Sequence, residues 1–157
     1  MNTTLDNRMN GFSPYDYYFG EGIYDSTGYS VIVNTSEYSD IIFMLKDVDS
    51  KQIIRNVFIA NTSTFSLIDI PYGVYEFTYF GGNNWSDTLT INNAKIQGAF
   101  ANNIYFKKSE EKDIIECTSD YSEGTFTLTL TQQVSGNLNM QPSNEAEFFD
   151  MDQEGVY

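Results

Sequence analysis

Catalytic chemistry has little to work with in this chain. It holds no histidine, so the commonest general base near neutral pH and the commonest zinc and copper ligand are both missing. Its one cysteine, Cys117, has neither an imidazole to draw off its proton nor a second thiol to pair with. Carboxylates remain, but Glu110 and Glu111 stand in a Lys/Glu run that reads as a solvated loop. Calcium is the metal an acidic, oxygen-rich chain suits, and Asp47 and Asp49 are spaced as two of its ligands would be. The residues after them complete no EF-hand loop, and Asp is a favoured turn residue, so Asp47-Val48-Asp49-Ser50-Lys51 reads first as a turn. Neither catalysis nor a cofactor is expected.

Binding chemistry is better represented, since aromatic residues make up 16% of the chain, with 12 Tyr, 12 Phe and one Trp. Trp85 follows Gly81-Gly82-Asn83-Asn84, residues that tolerate positive φ, and we read that run as a loop presenting the indole. Together with Tyr72 and Tyr79 it would offer a stacking face to a glycan, which makes a carbohydrate-binding module one reading. The other is that Trp85 caps the core, which a lone tryptophan favours because a sugar platform normally uses two coplanar rings. A second aromatic group comprises Phe12, Tyr15, Tyr17, Tyr18 and Phe19, with Phe148 and Phe149 at the far end. Such rings cover large areas at low entropic cost and suit contacts with a protein partner or self-association.

Elements must position these residues, and composition bounds which ones. A chain of 157 residues is one domain in size and buries roughly 70% of the surface its unfolded form exposes. Asp and Glu number 22 against 8 Lys and Arg, a net charge of -14 that repels phosphate backbones and anionic headgroups. Neither nucleic acid nor membrane insertion is therefore expected. Residues 1–10 are polar and no run of about 18 apolar residues occurs, so neither a spanning helix nor an uncleaved secretory signal is expected. The expectation is a cytoplasmic protein or a processed secreted form.

Between residues 30 and 131 short apolar runs of period two alternate with Gly, Asn, Asp and Ser clusters, which is the pattern of an all-β sandwich. Val31 and Val33 open a first strand. Ile41, Phe43 and Leu45 mark one face of a second, joined by the turn at Asp47 to a returning strand over residues 52–60. Residues 64–68 and 74–80 read as a second hairpin about Ile70-Pro71-Tyr72-Gly73, whose proline and glycine fit positions two and four of a β-turn. Further strands are expected near residues 88–91 and 103–107. Phe126, Leu128 and Leu130 alternate with threonines over residues 125–131, which reads as a core strand. Residues 142–149 suit a short helix with Asn144 as cap and Glu147 three positions on. Three segments result: an aromatic, Gly-rich arm over 1–29, a sandwich over 30–139 and an acidic segment over 140–157. The arm either adds to a neighbour's sheet edge or folds back over an edge of its own sandwich.

The stretch from Phe65 through Ile70-Pro71-Tyr72-Gly73 to Tyr75 resembles the F-x-L-x-x-I-P-x-G-x-Y signature of carboxypeptidase-regulatory-like domains. A longer ordered set is similar to a Bacteroidetes-type protein family with no established activity. It runs Ser13-Pro14-Tyr15-Asp16, Tyr18-Phe19-Gly20, Ile54-Arg55-Asn56, Gly82-Asn83-Asn84-Trp85, Lys95-Ile96-Gln97-Gly98-Ala99-Phe100, Ser135-Gly136-Asn137 and Glu147-Phe148-Phe149. The resemblance implies a transthyretin-like (prealbumin-like) Greek-key β-sandwich of about seven strands and an accessory role. It implies no catalytic or ligand residue. Residues and resemblance together lead to a non-enzymatic structural or interaction protein, an accessory subunit of an assembly, with the glycan-binding module as alternative.

Overall fold

The computed structural model describes residues 10–91, 95–110, 113–120, 123–130, 141–142 and 149. Two sheets pack as an all-β sandwich. Nine strands occur among the described residues: β1 (Gly28–Asn34), β2 (Asp40–Asp47), β3 (Ile53–Ile59), β4 (Thr64–Leu67), β5 (Gly73–Ile91), β6 (Ile96–Lys108), β7 (Ile115–Cys117), β8 (Glu123–Thr129) and β9 (Gln141–Pro142). One helical turn, α1 (Asp16–Phe19), precedes them. The smaller sheet has the order β4-β1-β8 and the larger β3-β2-β5-β6-β9, with β7 paired to the start of β5.

Period two builds the smaller sheet: in β1, Tyr29, Val31 and Val33 are buried while the residues between them are half-buried. The larger sheet differs, because β2 and β3 are buried almost throughout. Ile41, Phe43 and Leu45 face the smaller sheet in one apolar cluster with Val31, Val33, Leu67 and Leu128. Ile42 and Met44 face the other way, into a second cluster with Phe58, Phe80, Trp85 and Phe100. A strand apolar on both faces requires a layer on each. Here the second layer is the N-terminal segment, whose Tyr15, Phe12, Tyr18 and Phe19 complete that second cluster.

The hairpin β2–β3 forms at the polar turn, with Ile41 opposite Ile59 and Leu45 opposite Arg55. The second expected hairpin does not form. β4 pairs with β1 in the smaller sheet and β5 with β2 in the larger, so the proline turn carries the chain across the sandwich. Ile70, fully buried and bonded through its N–H to the carbonyl of Tyr29 at 3.2 Å, anchors that crossing in the core.

Trp85 sits in no loop. β5 runs continuously through Gly81-Gly82-Asn83-Asn84, joining the segments expected as separate strands, with register shifts between Gly81 and Asn83 and between Ser86 and Thr90. The glycines serve close packing: a Cβ at Gly81 would lie 2.5 Å from the Tyr105 ring, and one at Gly82 2.6 Å from Cβ of Phe100. β6 likewise extends well beyond the expected 103–107. β8 has the expected alternation but lies at the end of its sheet among the described residues, paired in parallel with β1; Thr131 lies outside them. Pro142 belongs to β9, opposite Lys107, instead of opening a helix, and the rest of that proposed helix except Phe149 lies outside the described residues.

Candidate functional site

From Asn10 onward the N-terminal segment is built into the domain, residues 1–9 lying outside the described residues. β3 would leave its outer edge open, and backbone from the arm closes it: Gly11 N–H donates to Phe58 O at 2.9 Å, Phe58 N–H to Phe12 O at 2.7 Å, and Ile23 N–H to Ile54 O at 3.0 Å. Buried Asn56 on β3 fixes the turn between these points. Its Oδ1 accepts from Tyr15 N–H at 2.8 Å and its Nδ2 donates to Asp16 Oδ1 at 3.0 Å. Burial pushes the Asp16 carboxyl up from its ordinary value, while the Asn56 hydrogen bond pulls it down and Glu21 raises it again. Tyr15 enters the second cluster completely, touching Phe19, Phe80, Trp85 and Phe149, and its hydroxyl donates to Gly98 O at 2.7 Å. Burial, and then Tyr17, hold that hydroxyl well above the ordinary phenol range.

Most of the residues expected to meet a partner are thereby spent inside. Tyr15 and Phe149 are fully buried, and Phe12, Tyr18 and Phe19 pack against the same cluster. Phe148 lies outside the described residues. Tyr17 alone of the described set faces solvent, at 62% exposure. Its hydroxyl is nevertheless fixed at both ends of its chemistry, donating to Gln97 O at 2.8 Å and accepting from Gln97 N–H at 2.7 Å. Beside it opens a groove of about 280 Å³ lined by Phe12, Pro14, Tyr17, Trp85, Asp87, Gln97 and Gly98. Trp85 is only 7% exposed and lends this groove its edge, with its indole N–H donating to Asp87 Oδ1 at 2.9 Å. Gly98, at φ +107, brings the backbone to where a Cβ would stand 3.0 Å from Cζ2 of Trp85.

The three aromatic residues first considered as a sugar platform are not brought together. Tyr79 is buried in the cluster between the sheets, and burial, with Tyr105, raises its hydroxyl above the ordinary range. Trp85 belongs to the opposite cluster. Tyr72 is half exposed and packs edge-on against Tyr29 at 6.2 Å. Asp47 and Asp49 shape the turn, where Asp47 Oδ1 accepts from the N–H groups of Asp49 and Ser50, each at 2.9 Å. Cys117 is buried at the end of β7, and burial pushes its thiol up to about 11.

A second surface feature collects around Arg55 on β3. This guanidinium is 3% exposed, yet it donates to Ile23 O (3.0 Å), Ile68 O (2.8 Å) and Asp69 O (2.9 Å) and lies 3.5 Å from the centre of the Tyr24 ring. Burial lowers its proton affinity, and Tyr24, Asp69 and Tyr75 oppose that shift. One buried cation thus ties the arm to the 68–69 turn, where Asp25 N–H also meets Asp69 O at 3.0 Å. Outward of it stand Tyr24 at 60% and Ile68 at 55% exposure, with Ile23 also exposed. The sequence reading did not select these residues. Their one signal was Ile54-Arg55-Asn56, an arginine and an amide inside an apolar strand, where a buried charge must find several acceptors.

Set beside known proteins, the chain matches no family model, no curated protein and no solved structure.

Proposed function

We propose that this protein is a non-enzymatic accessory subunit that makes protein–protein contacts within an assembly, through the surface around Arg55. The observation that carries the proposal is the exposure of Tyr24, Ile68 and Ile23 around one guanidinium, which lies against the Tyr24 ring and bonds the carbonyls of Ile23, Ile68 and Asp69. Exposed apolar side chains on a rigid support cost little entropy to bury, and Tyr beside Arg is the composition of energetically important interface positions. The net charge of -14 directs the surface toward a neutral or basic counterpart, including a neutral face of a second copy. The proposal extends to kinship with transthyretin-like, Greek-key accessory domains, which rests on the resemblance of the proline-turn signature.

Light scattering across protein concentration tests it. The native chain is expected to exceed its monomer mass of 17.9 kDa as concentration rises, and a Tyr24→Ser/Ile68→Ser variant of unchanged circular dichroism to stay at that mass. A monomer mass for both proteins at every concentration sinks the proposal in its self-associating form. Equal association of both proteins moves the interface elsewhere.

A further inference from the structure

We infer that the groove between Tyr17 and Trp85 is a binding site for one ring of a neutral or amino-substituted saccharide, with Tyr17 as the stacking face. This inference is independent of the Arg55 surface, which involves other residues. Four observations meet at the groove. Its volume of about 280 Å³ lies just under the usual range of small-ligand sites and suits a single pyranose ring better than a larger ligand. Its lining mixes rings with a carboxylate, an amide and backbone: Phe12, Tyr17 and Trp85 beside Asp87, Gln97 and Gly98. That mixture matches a molecule that has C–H bonds on its faces and hydroxyls around its rim.

The third observation concerns Tyr17 itself. A tyrosine exposed to 62% ordinarily keeps its rotamer freedom and surrenders it when a ligand stacks on it. Here both hydrogen bonds to Gln97 already hold the ring, and α1 is anchored from below by Asn56 through Asp16. The ordering cost of the stacking face has been met in folding, which is how a shallow site gains affinity. The fourth is charge. A net charge of -14, with Asp87 in the lining, disfavours uronates and sialic acids and tolerates neutral or amino sugars.

Trp85 is the chain's single tryptophan and touches the groove, so its fluorescence reports occupancy directly. The native protein is titrated with cellohexaose, maltohexaose, xylohexaose and chitosan hexamer, and with hexagalacturonate as the anionic counterpart. A single-ring site predicts saturation at about 1 mM for at least one of the first four, and no saturation by hexagalacturonate. Tyr17→Ser is expected to weaken that binding about tenfold or more, the size of one lost ring contact. Tyr17→Phe removes both hydrogen bonds but keeps the ring, and is expected to retain stacking with intermediate affinity. Urea unfolding of each variant separates loss of binding from loss of fold. Absence of saturation with all the neutral and amino glycans overturns the inference. So does binding indifferent to Tyr17→Ser in a folded variant, or a preference for hexagalacturonate.

Discussion

Tyr15 offers the sharpest test of the arm as part of the core. Replacing it by alanine removes a fully buried ring from contact with Phe19, Phe80, Trp85 and Phe149, together with the hydrogen bond to Gly98 O. Truncating a buried aromatic side chain costs about 3–5 kcal/mol, and the carbonyl left without its donor places the total in the upper part of that range. Tyr15→Phe keeps the ring and strands only the carbonyl, for about 1–3 kcal/mol. With a urea slope of about 2 kcal/mol per molar, the alanine midpoint falls by about 2 M and the phenylalanine midpoint by about 1 M. Unfolding is followed by Trp85 fluorescence and by circular dichroism, since the indole lies 6.0 Å from the Tyr15 ring while the sheets report elsewhere. A midpoint shift below about 0.3 M for Tyr15→Ala would refute the reasoning. So would a fluorescence transition that runs ahead of the dichroism in the native protein, for it would mean that the arm lifts off an intact sandwich.

Thr78, buried in β5, has a hydroxyl that finds no hydrogen-bond partner among the described residues. Thr78→Val keeps the shape and removes the stranded group, so the urea midpoint should rise, by about 1 kcal/mol in stability; a fall shows that the hydroxyl is satisfied. For Asp16 the sign follows from the raised folded-state value. The folded protein holds this proton more tightly than the unfolded chain, so the group favours folding at low pH and that contribution is lost as pH rises through the folded value. Asp16→Asn, which keeps an acceptor for Asn56, should therefore gain on the native protein as pH rises above the ordinary carboxylate range; a stability difference that stays constant with pH contradicts the burial argument.

How much of this was legible varies by element. The all-β class was readable because period two in β1 and β8 is a local property of the backbone: alternate side chains point to opposite faces wherever a strand forms. The β2–β3 hairpin was readable for the same reason, its turn being encoded by Asp47 Oδ1 and the N–H groups just after it. The same alternation in β2 held a further message, since Ile42 and Met44 are as apolar as the residues between which they stand, and two apolar faces require two covering layers. What supplies the second layer lies far away in the chain. Tyr15 meets Asn56 across 41 residues and Gly98 across 83, distances over which no local pattern carries information.

The candidate sites divide along the same line. The lack of histidine is a property of composition alone, whereas the burial that pushes the Cys117 thiol up to about 11 is a property of the fold. Aromatic content gave the number of rings, but not which of them face out. Tyr17, Tyr18 and Phe19 follow one another in α1, where each step rotates the side chain by about 100°, and Tyr15 stands just before that turn, so burial of Tyr15 and exposure of Tyr17 depend on how Asn56 sets it. The proline turn shows the limit most plainly. Its residues read as a hairpin, whereas β4 pairs with β1 and β5 with β2, and the crossing is held by contacts from distant residues, among them the bond from buried Ile70 to Tyr29 and those from Arg55 to Ile68 O and Asp69 O. Sequence by itself determined the all-β class, the alternation of β1 and β8, the β2–β3 turn and the acidic net charge, because these arise from neighbouring residues and composition. Tertiary structure decided that Tyr15 of the arm is core, that Tyr17 borders a groove with Trp85 and that Arg55 binds arm to turn, because each needs backbone brought together from distant parts of the chain.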